Sequence, residues 1–307
     1  MADQAEKLRD LARQVRLSTG RGKAPARARG SHRQGRARVI AVSSGKGGVG
    51  KTNLSINLAL SLCKAGKKVL LFDADLGLAN ADVLLGMSSR HNLSHFFQGE
   101  RSLEEITATG PLGLKVIASG SGISQMADLN GQDRERLLGH LSGIEDHVDM
   151  VIVDTGAGIS KNVMAFAMAA DECLVVTTPE PTARLDAYGL LKVLSQEGYD
   201  GTSRLVVNMA ENEAEGAEIG GLMETLARRY LKIRLEYLGY VPRDKAVRKA
   251  VGIQQPFALS FPDSQAAKAV QGLATRLLEA VPADGNGGIQ GFLERLGGML
   301  KGKRGAV

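Results

Sequence analysis

Read for its alternation of apolar and polar positions, the chain separates into a long globular stretch and two unlike ends. From residue 38 to about residue 282, short continuous apolar runs recur between segments of helical period. The runs at 39–42, 69–72, 114–118, 151–153, 174–177, 205–207 and 237–241 are apolar at consecutive positions. A strand of that kind must be covered on both faces, which is the condition of a parallel sheet. Helical patterns such as 53–64 and 133–144 supply the covers. The expected fold is α/β, a single doubly wound, mostly parallel sheet with helices on both faces. Such sheets bind ligands at the carboxyl ends of their strands.

The ends carry different patterns. Residues 1–17 read as one short amphipathic helix with Leu8, Leu11 and Val15 apolar. Residues 18–37 hold Arg21, Lys23, Arg27, Arg29, Arg33 and Arg36 among glycine and alanine. That composition cannot bury surface, so a disordered basic linker is expected. After the joint Gly285-Asn286-Gly287-Gly288, residues Ile289, Phe292, Leu293, Leu296, Met299 and Leu300 fall on one helical face. Gln290, Glu294 and Arg295 lie opposite, and Lys301, Lys303 and Arg304 close the end. An apolar stripe with basic residues reads as an interfacial membrane helix. A helix packed on its parent domain has the same stripe, and both states fit one helix that docks with ADP and releases with ATP. Gly291, Gly297, Gly298 and Gly302 each lower helix propensity by up to about 1 kcal/mol against alanine, so a lipid or protein surface is needed to form it. Two such helices in a dimer would add by avidity. The expected organisation is 1–17 N-terminal helix, 18–37 linker, 38–284 globular domain and 285–307 membrane-targeting helix.

Composition narrows the class. The chain has 307 residues, 43% of them hydrophobic, which suffices for one large α/β domain. No apolar run is long enough to span a bilayer and no signal core begins the chain, so a cytoplasmic location is expected. The formal net charge is +6, and the linker holds much of the excess. The two cysteines, Cys63 and Cys173, lie in separate apolar segments and read as small core residues, not a redox or metal pair.

The chemistry concentrates at strand ends. Gly45-Lys46-Gly47-Gly48-Val49-Gly50-Lys51-Thr52, with Asn53 after it, follows the first run and opens the first helix. This is phosphate-loop spacing in strand–loop–helix context. Glycines let successive N–H groups face an anion, and the helix N-terminus adds partial positive charge. Lys51 is expected on the β- and γ-phosphates and the Thr52 hydroxyl on Mg²⁺. Lys46 is a second lysine that an ordinary phosphate loop does not need, a candidate finger for transition-state charge. Asp73 and Asp75 end the second run and Asp154 ends the fourth. Asp154 suits a water-mediated Mg²⁺ contact, Asp75 the orientation of attacking water, and Asp73 the metal's surroundings. Gly156 and Gly158 give the following loop freedom to move with the γ-phosphate. No Asn-Lys-x-Asp segment reads guanine, whereas Asn208 and Pro242 end strands where a base could lie. ATP is therefore expected over GTP.

At this point the motifs become specific. Lys46 to Thr52 resembles the deviant Walker A loop of the MinD/ParA ATPases. The stretch Phe72-Asp73-Ala74-Asp75-Leu76-Gly77-Leu78-Ala79-Asn80 is similar to their switch I, and Asp154-Thr155-Gly156-Ala157-Gly158 to their switch II. The resemblance covers roughly residues 38–280. It implies ATP hydrolysis with Mg²⁺ and an ATP-bound homodimer in which Lys46 reaches the partner subunit's phosphates. Within the family, Thr178-Pro179-Glu180-Pro181-Thr182 with Asp186-Ala187-Tyr188 looks like the flagellar-number regulators of the FlhG group, also called FleN or YlxH. Asp3, Gln4, Ala5, Leu8 and Arg9 match that group's DQAxxLR motif. This implies a helix that activates FlhF, a signal-recognition-type GTPase, and further basal-body or transcriptional partners. Gly156 departs from the proline or alanine usual in MinD-like switch II, and the linker is unusually rich in arginine, a feature to which the resemblance assigns no role. Division-site proteins of the MinD kind and DNA-partition proteins of the ParA kind remain the alternatives, though no nucleic-acid partner is expected. A redox protein with a cluster shared between subunits would need exposed cysteines.

Overall fold

Each of the seven apolar runs is a strand in the computed structural model, which describes residues 37–75, 80–87, 91–118, 120, 147–280 and 288–301. The strands are β1 (Arg38–Ser44), β2 (Val69–Ala74), β3 (Ala108–Thr109), β4 (Lys115–Ala118), β5 (Met150–Ala157), β6 (Glu172–Thr177), β7 (Thr202–Ala210) and β8 (Leu235–Pro242). They form one sheet in the order β3-β4-β2-β5-β1-β6-β7-β8. Every pairing is parallel except β3 with β4, a two-residue antiparallel edge that apolar patterning does not reveal. From β1 the chain runs out through β2 to β4, returns to place β5 beside β1, and continues on the other side through β6, β7 and β8, so β1, β5 and β6 sit at the topological switch point.

Alternation along the strands separates two covered faces. Ile40 and Val42 join the core beneath α1 (Lys51–Lys64), while Val39 and Ala41 point to the opposite side. Between α1 and β5 lie, among the described residues, three short helices, α2 (Asn80–Leu84), α3 (Leu93–Phe97) and α4 (Leu103–Ile106). After β5 come α5 (Lys161–Ala169), α6 (Pro181–Gln196) and α7 (Glu213–Leu226), then α8 (Lys245–Gly252), α9 (Phe257–Ser260) and α10 (Gln265–Glu279). Side chains of α10 such as Val270, Leu273 and Leu277 share the core of α1; Leu190, Leu194 and Met223 of α6 and α7 cover β6 and β7 on the other face. Cys173 lies wholly inside that second core, where burial pushes its thiol up to about 12. Cys63 packs partly buried on the first, so the two do not pair.

The last helix, α11 (Gly288–Lys301), is docked on the domain. Ile289, Phe292, Leu296 and Leu300 are buried in one core with Val39, Val151 and Phe166, and Leu293 and Met299 pack partly buried against it. The boundary expected at residue 284 is therefore not a packing boundary here. The stripe read as lipid-facing is satisfied by protein, because a hydrophobic face is indifferent to which apolar surface removes it from water. Polar contacts add to this packing from the middle of the helix to its C-terminal end. Arg295 donates from Nε to the Ala169 carbonyl at 2.7 Å and from Nη2 to Asp171 Oδ1 at 3.0 Å. Lys161 Nζ donates to the Leu300 carbonyl at 3.2 Å.

Several expectations fall outside the described residues: the N-terminal helix with Asp3, Gln4, Ala5, Leu8 and Arg9, the linker up to residue 36, the helix at 133–144, residues 76–79 of the second-strand loop and the extreme C-terminus. Among the described residues, no helix is long and apolar enough to cross a membrane.

Candidate nucleotide and magnesium site

The loop from Gly45 to Gly50 leaves β1 and turns into α1 at Lys51, two positions earlier than the helical period indicated, because Lys51 and Thr52 belong to its first turn. Gly50 holds φ 86° as the residue before the helix and Gly48 holds φ 79°, both in the left-handed region that glycine enters without cost. A side chain at Gly45 would overlap the Asp186 carbonyl, so the loop packs directly on α6. Asn208 Nδ2, from the end of β7, donates to the Val49 carbonyl at 2.7 Å. One amide hydrogen is thus committed to the loop, which leaves the second N–H and the side-chain oxygen for a base contact. Pro242 ends β8 in register with Ala210, two residues after Asn208.

The three carboxylates meet where β2 and β5 run side by side, since Asp73 and Asp154 are paired positions in the ladder. Asp154 is 1% exposed. Its Oδ1 accepts from Ser55 Oγ at 2.8 Å and lies 3.5 Å from Lys51 Nζ. Its Oδ2 has no hydrogen-bond partner among the described residues. Burial raises its pKa, while Lys51, Thr52 and Ser55 pull the other way. A buried carboxylate oxygen without a donor beside a Thr52 hydroxyl fits a hydrated Mg²⁺, which keeps several waters and takes few protein ligands. Among the described residues no cluster of three acidic, histidine or cysteine side chains forms a separate metal cage.

Asp73 is also buried, and its oxygens accept from the Asp75 N–H at 3.1 Å and the Ala81 N–H at 3.2 Å. Burial, and then the neighbouring Asp154 charge, push the Asp73 carboxyl up to about 6 from 3.8. Asp75 is half-buried at the end of β2, and a methyl placed on Gly156 would lie 3.6 Å from its Oδ1. Gly156 and Asp75 therefore face one another across the gap between the two candidate switches. Gly158, at φ 92°, donates to the Ser44 carbonyl at 2.8 Å.

The Asp73 shift predicts a pH dependence. A carboxyl whose folded pKa exceeds its unfolded value holds its proton longer when folded. Its contribution to stability is therefore lost as pH rises through about 6. Between pH 5 and 7.5 this amounts to about 1.4 kcal/mol for one such group. Asp73→Asn removes the titration. In nucleotide-free protein, denaturant unfolding should show Asp73→Asn gaining about that much relative to wild type on going from pH 5 to 7.5. Equal differences at both pH values would mean that the buried charge carries no such cost.

Lys46 lies at the rim with its side chain 39% exposed. Its Nζ donates to Glu180 Oε2 at 2.9 Å and to Thr182 Oγ1 at 3.0 Å, both at the start of α6. Residue patterning did not single out this pair, nor Ser55. Ser55 stands four residues after Lys51, on the same helical face, which was a usable signal. For Glu180 the only signal was the motif that contains it.

The chain is similar to known proteins over most of its length. The ParA family profile, described as NUBPL iron-transfer P-loop NTPase, matches residues 36–278. The antiactivator FleN of Pseudomonas aeruginosa is 40% identical over 84% of this chain and 92% of that relative. The flagellum site-determining protein YlxH of Helicobacter pylori is 35% identical over 86% of this chain and 90% of its own. Among solved structures, the cell division ATPase MinD of Pyrococcus furiosus superimposes with a TM-score of 0.63 at 25% identity, over 79% of this chain and 99% of that one.

Proposed function

The chain belongs to the ParA/MinD family of P-loop ATPases, and from that premise we propose that it is an ATP-gated, dimerising switch that associates with the cytoplasmic membrane and regulates flagellar number or placement. The packing of α11 on α5 carries the reading. Helix α5 begins three residues beyond Gly158, capped by Ser160, so a movement of that loop bears on the surface that holds α11.

In this reading ATP and Mg²⁺ supply the charged phosphates and the electrophilic metal. The N–H groups from Gly45 to Thr52 and Asn53 cradle the phosphates, and Lys51 balances their charge. Thr52 and Asp154 would hold the hydrated metal, with Ser55 fixing the Asp154 rotamer. Asp73 keeps α2 against the site through the Ala81 N–H. Asp75 orients the attacking water. Lys46 leaves Glu180 to reach the partner subunit's phosphates, an exchange made easy because exposed ion pairs are worth little. Asn208 and Pro242 border the base.

The names of the relatives support the flagellar role, since FleN and YlxH are more similar to this chain than the septum-site MinD of Bacillus subtilis at 32% identity. Iron transfer, the activity in the family description, would need thiols at a surface. The chain has two cysteines, one wholly buried and the other in a different layer. Residues 1–17 match the activator motif of the flagellar group and are too short to be a stable isolated helix. A partner groove on a signal-recognition-type GTPase such as FlhF would order them.

The test is GTP hydrolysis by an FlhF-type GTPase given a synthetic peptide of residues 1–20. Stimulation is expected, lost with Gln4→Ala and weakened with Leu8→Ala. Deleting residues 1–17 should leave ATP turnover of the full protein unchanged. Loss of ATP turnover on deletion would place the segment in this chain's own machinery instead.

A further inference from the structure

Eight large apolar side chains are exposed among the described residues, and five of them lie along one strip: Val83, Leu112, Val251, Ile253 and Leu259. They come from α2, the 3-10 turn Pro111–Gly113, the end of α8 and α9. Tertiary packing joins these segments. A methyl placed on Gly86, just after α2, would sit 3.1 Å from the Gln254 carbonyl, just after α8. One on Gly110 would sit 3.1 Å from the sulfur of Met87. Leu112 and Leu259 then line a shallow groove whose buried floor includes Leu60 and Ala267, with Lys64 and Gln271 at its rim.

Single exposed apolar residues are ordinary on any protein. This strip has two further properties. Four non-glycine residues among those described have positive φ, and two of them belong to it: Leu112 at 57° and Gln254 at 53°. Left-handed backbone is unfavourable for a residue with a Cβ and persists where surroundings or function demand it. Packing gives little return at Leu112, whose side chain is 54% exposed. The second property is charge. Arg248 stands one turn before Val251, and Lys249 one turn before Ile253, whose N–H bonds back to the Lys249 carbonyl at 3.2 Å. Lys64 lines the groove, and Lys268 stands one turn before Gln271. None of these four exposed cations has an ion pair among the described residues, while the segments that form the strip also carry Asp82 in α2, Asp244 at the start of α8 and Asp263 after α9.

We propose that this strip is the docking face for an amphipathic helix of a partner protein, apolar along one side and acidic along its flanks. A groove between helices takes a helix through anchors spaced by turns, and contiguous apolar surface rimmed by polar groups is the form of such sites. Phosphate-backbone binding would use the cations and leave the leucines idle. A flat bilayer would not enter the groove. The face is also tied to the nucleotide site. Val83 and Ala81 share α2, and the Ala81 N–H is held by Asp73. Docking itself stands apart from the flagellar reading; only its coupling to ATP rests on the site described above.

The experiment uses the full chain and a fluorescent 18-residue synthetic helix, stapled so that it is helical when free. It has leucine at i, i+3, i+4 and i+7 and glutamate on its flanks, and a twin carries lysine in place of glutamate. Fluorescence anisotropy should show the acidic helix binding at least tenfold more tightly than the basic one. Leu112→Asp with Ile253→Asp should weaken it tenfold or more, as should Arg248→Glu with Lys249→Glu. ATP turnover without peptide should be unchanged in both double variants, which also reports that they fold. Equal binding of the two peptides would overturn the proposal, as would unchanged binding by the Leu112 and Ile253 variant. So would a cation variant that loses binding to a DNA duplex or to phosphatidylglycerol vesicles and not to the peptide.

Discussion

Lys46→Ala is expected to leave the ATP-bound protein monomeric, and Asp75→Ala to hold it as a dimer that does not turn over. The two substitutions lie in different loops, Lys46 after β1 and Asp75 after β2, and act on different steps. Lys46 is exposed, and its partners Glu180 and Thr182 are exposed as well. Removing it leaves no buried group without a partner, so thermal stability should change by less than about 1 kcal/mol. What is lost is the positive charge offered across a dimer interface. Charged fingers of this kind contribute on the order of 10³ or more to turnover, so a fall of about that size is expected. Asp75 is half-buried and stands after β2, outside the loop that cradles the phosphates, so nucleotide binding should survive its loss. It lies opposite Gly156, and in the proposed scheme it orients the attacking water there. Sedimentation velocity with ATP and Mg²⁺ separates the outcomes. An ATP-bound monomer for Asp75→Ala, or a dimer for Lys46→Ala, contradicts the gating scheme.

Phe292→Glu should remove α11 from both of its surfaces at once. In the docked state Phe292 is 4% exposed and its ring stands 6.3 Å from that of Phe166. An ionised glutamate there would be desolvated with no counter-ion, at a cost of several kcal/mol. The helix should therefore undock, seen as fast amide exchange across residues 288–301. The same charge prevents insertion into lipid, so co-sedimentation with anionic vesicles should vanish with ATP and with ADP alike while nucleotide binding persists. Arg295→Gln is the informative companion. It weakens the hold on the Ala169 carbonyl and Asp171 and keeps the apolar stripe intact. Vesicle binding in ADP should then rise toward the ATP level. If both variants still sediment with vesicles as wild type does, α11 is not the membrane anchor.

Much of this protein is legible along the chain because the signals are local. A phosphate loop is one contiguous stretch, and its glycines, lysine and threonine work through the backbone they belong to. Strands covered on both faces announce themselves as unbroken apolar runs, and the order of runs and helices sets a doubly wound sheet. The aspartates at strand ends follow from the same logic, since a parallel sheet brings its carboxyl ends to one side. Other features join residues that no local pattern connects. Ser55 reaches Asp154 across 99 positions, and Lys46 reaches Glu180 across 134. The five-residue apolar strip exists only because four short segments are folded together. The fate of α11 shows the limit most plainly. Its stripe determines that the helix must cover apolar surface somewhere, and lipid and protein satisfy that demand equally. The tertiary structure decides for protein in this state, through a complementary surface on α5 and β1 and through the Ala169 carbonyl and Asp171, which receive Arg295.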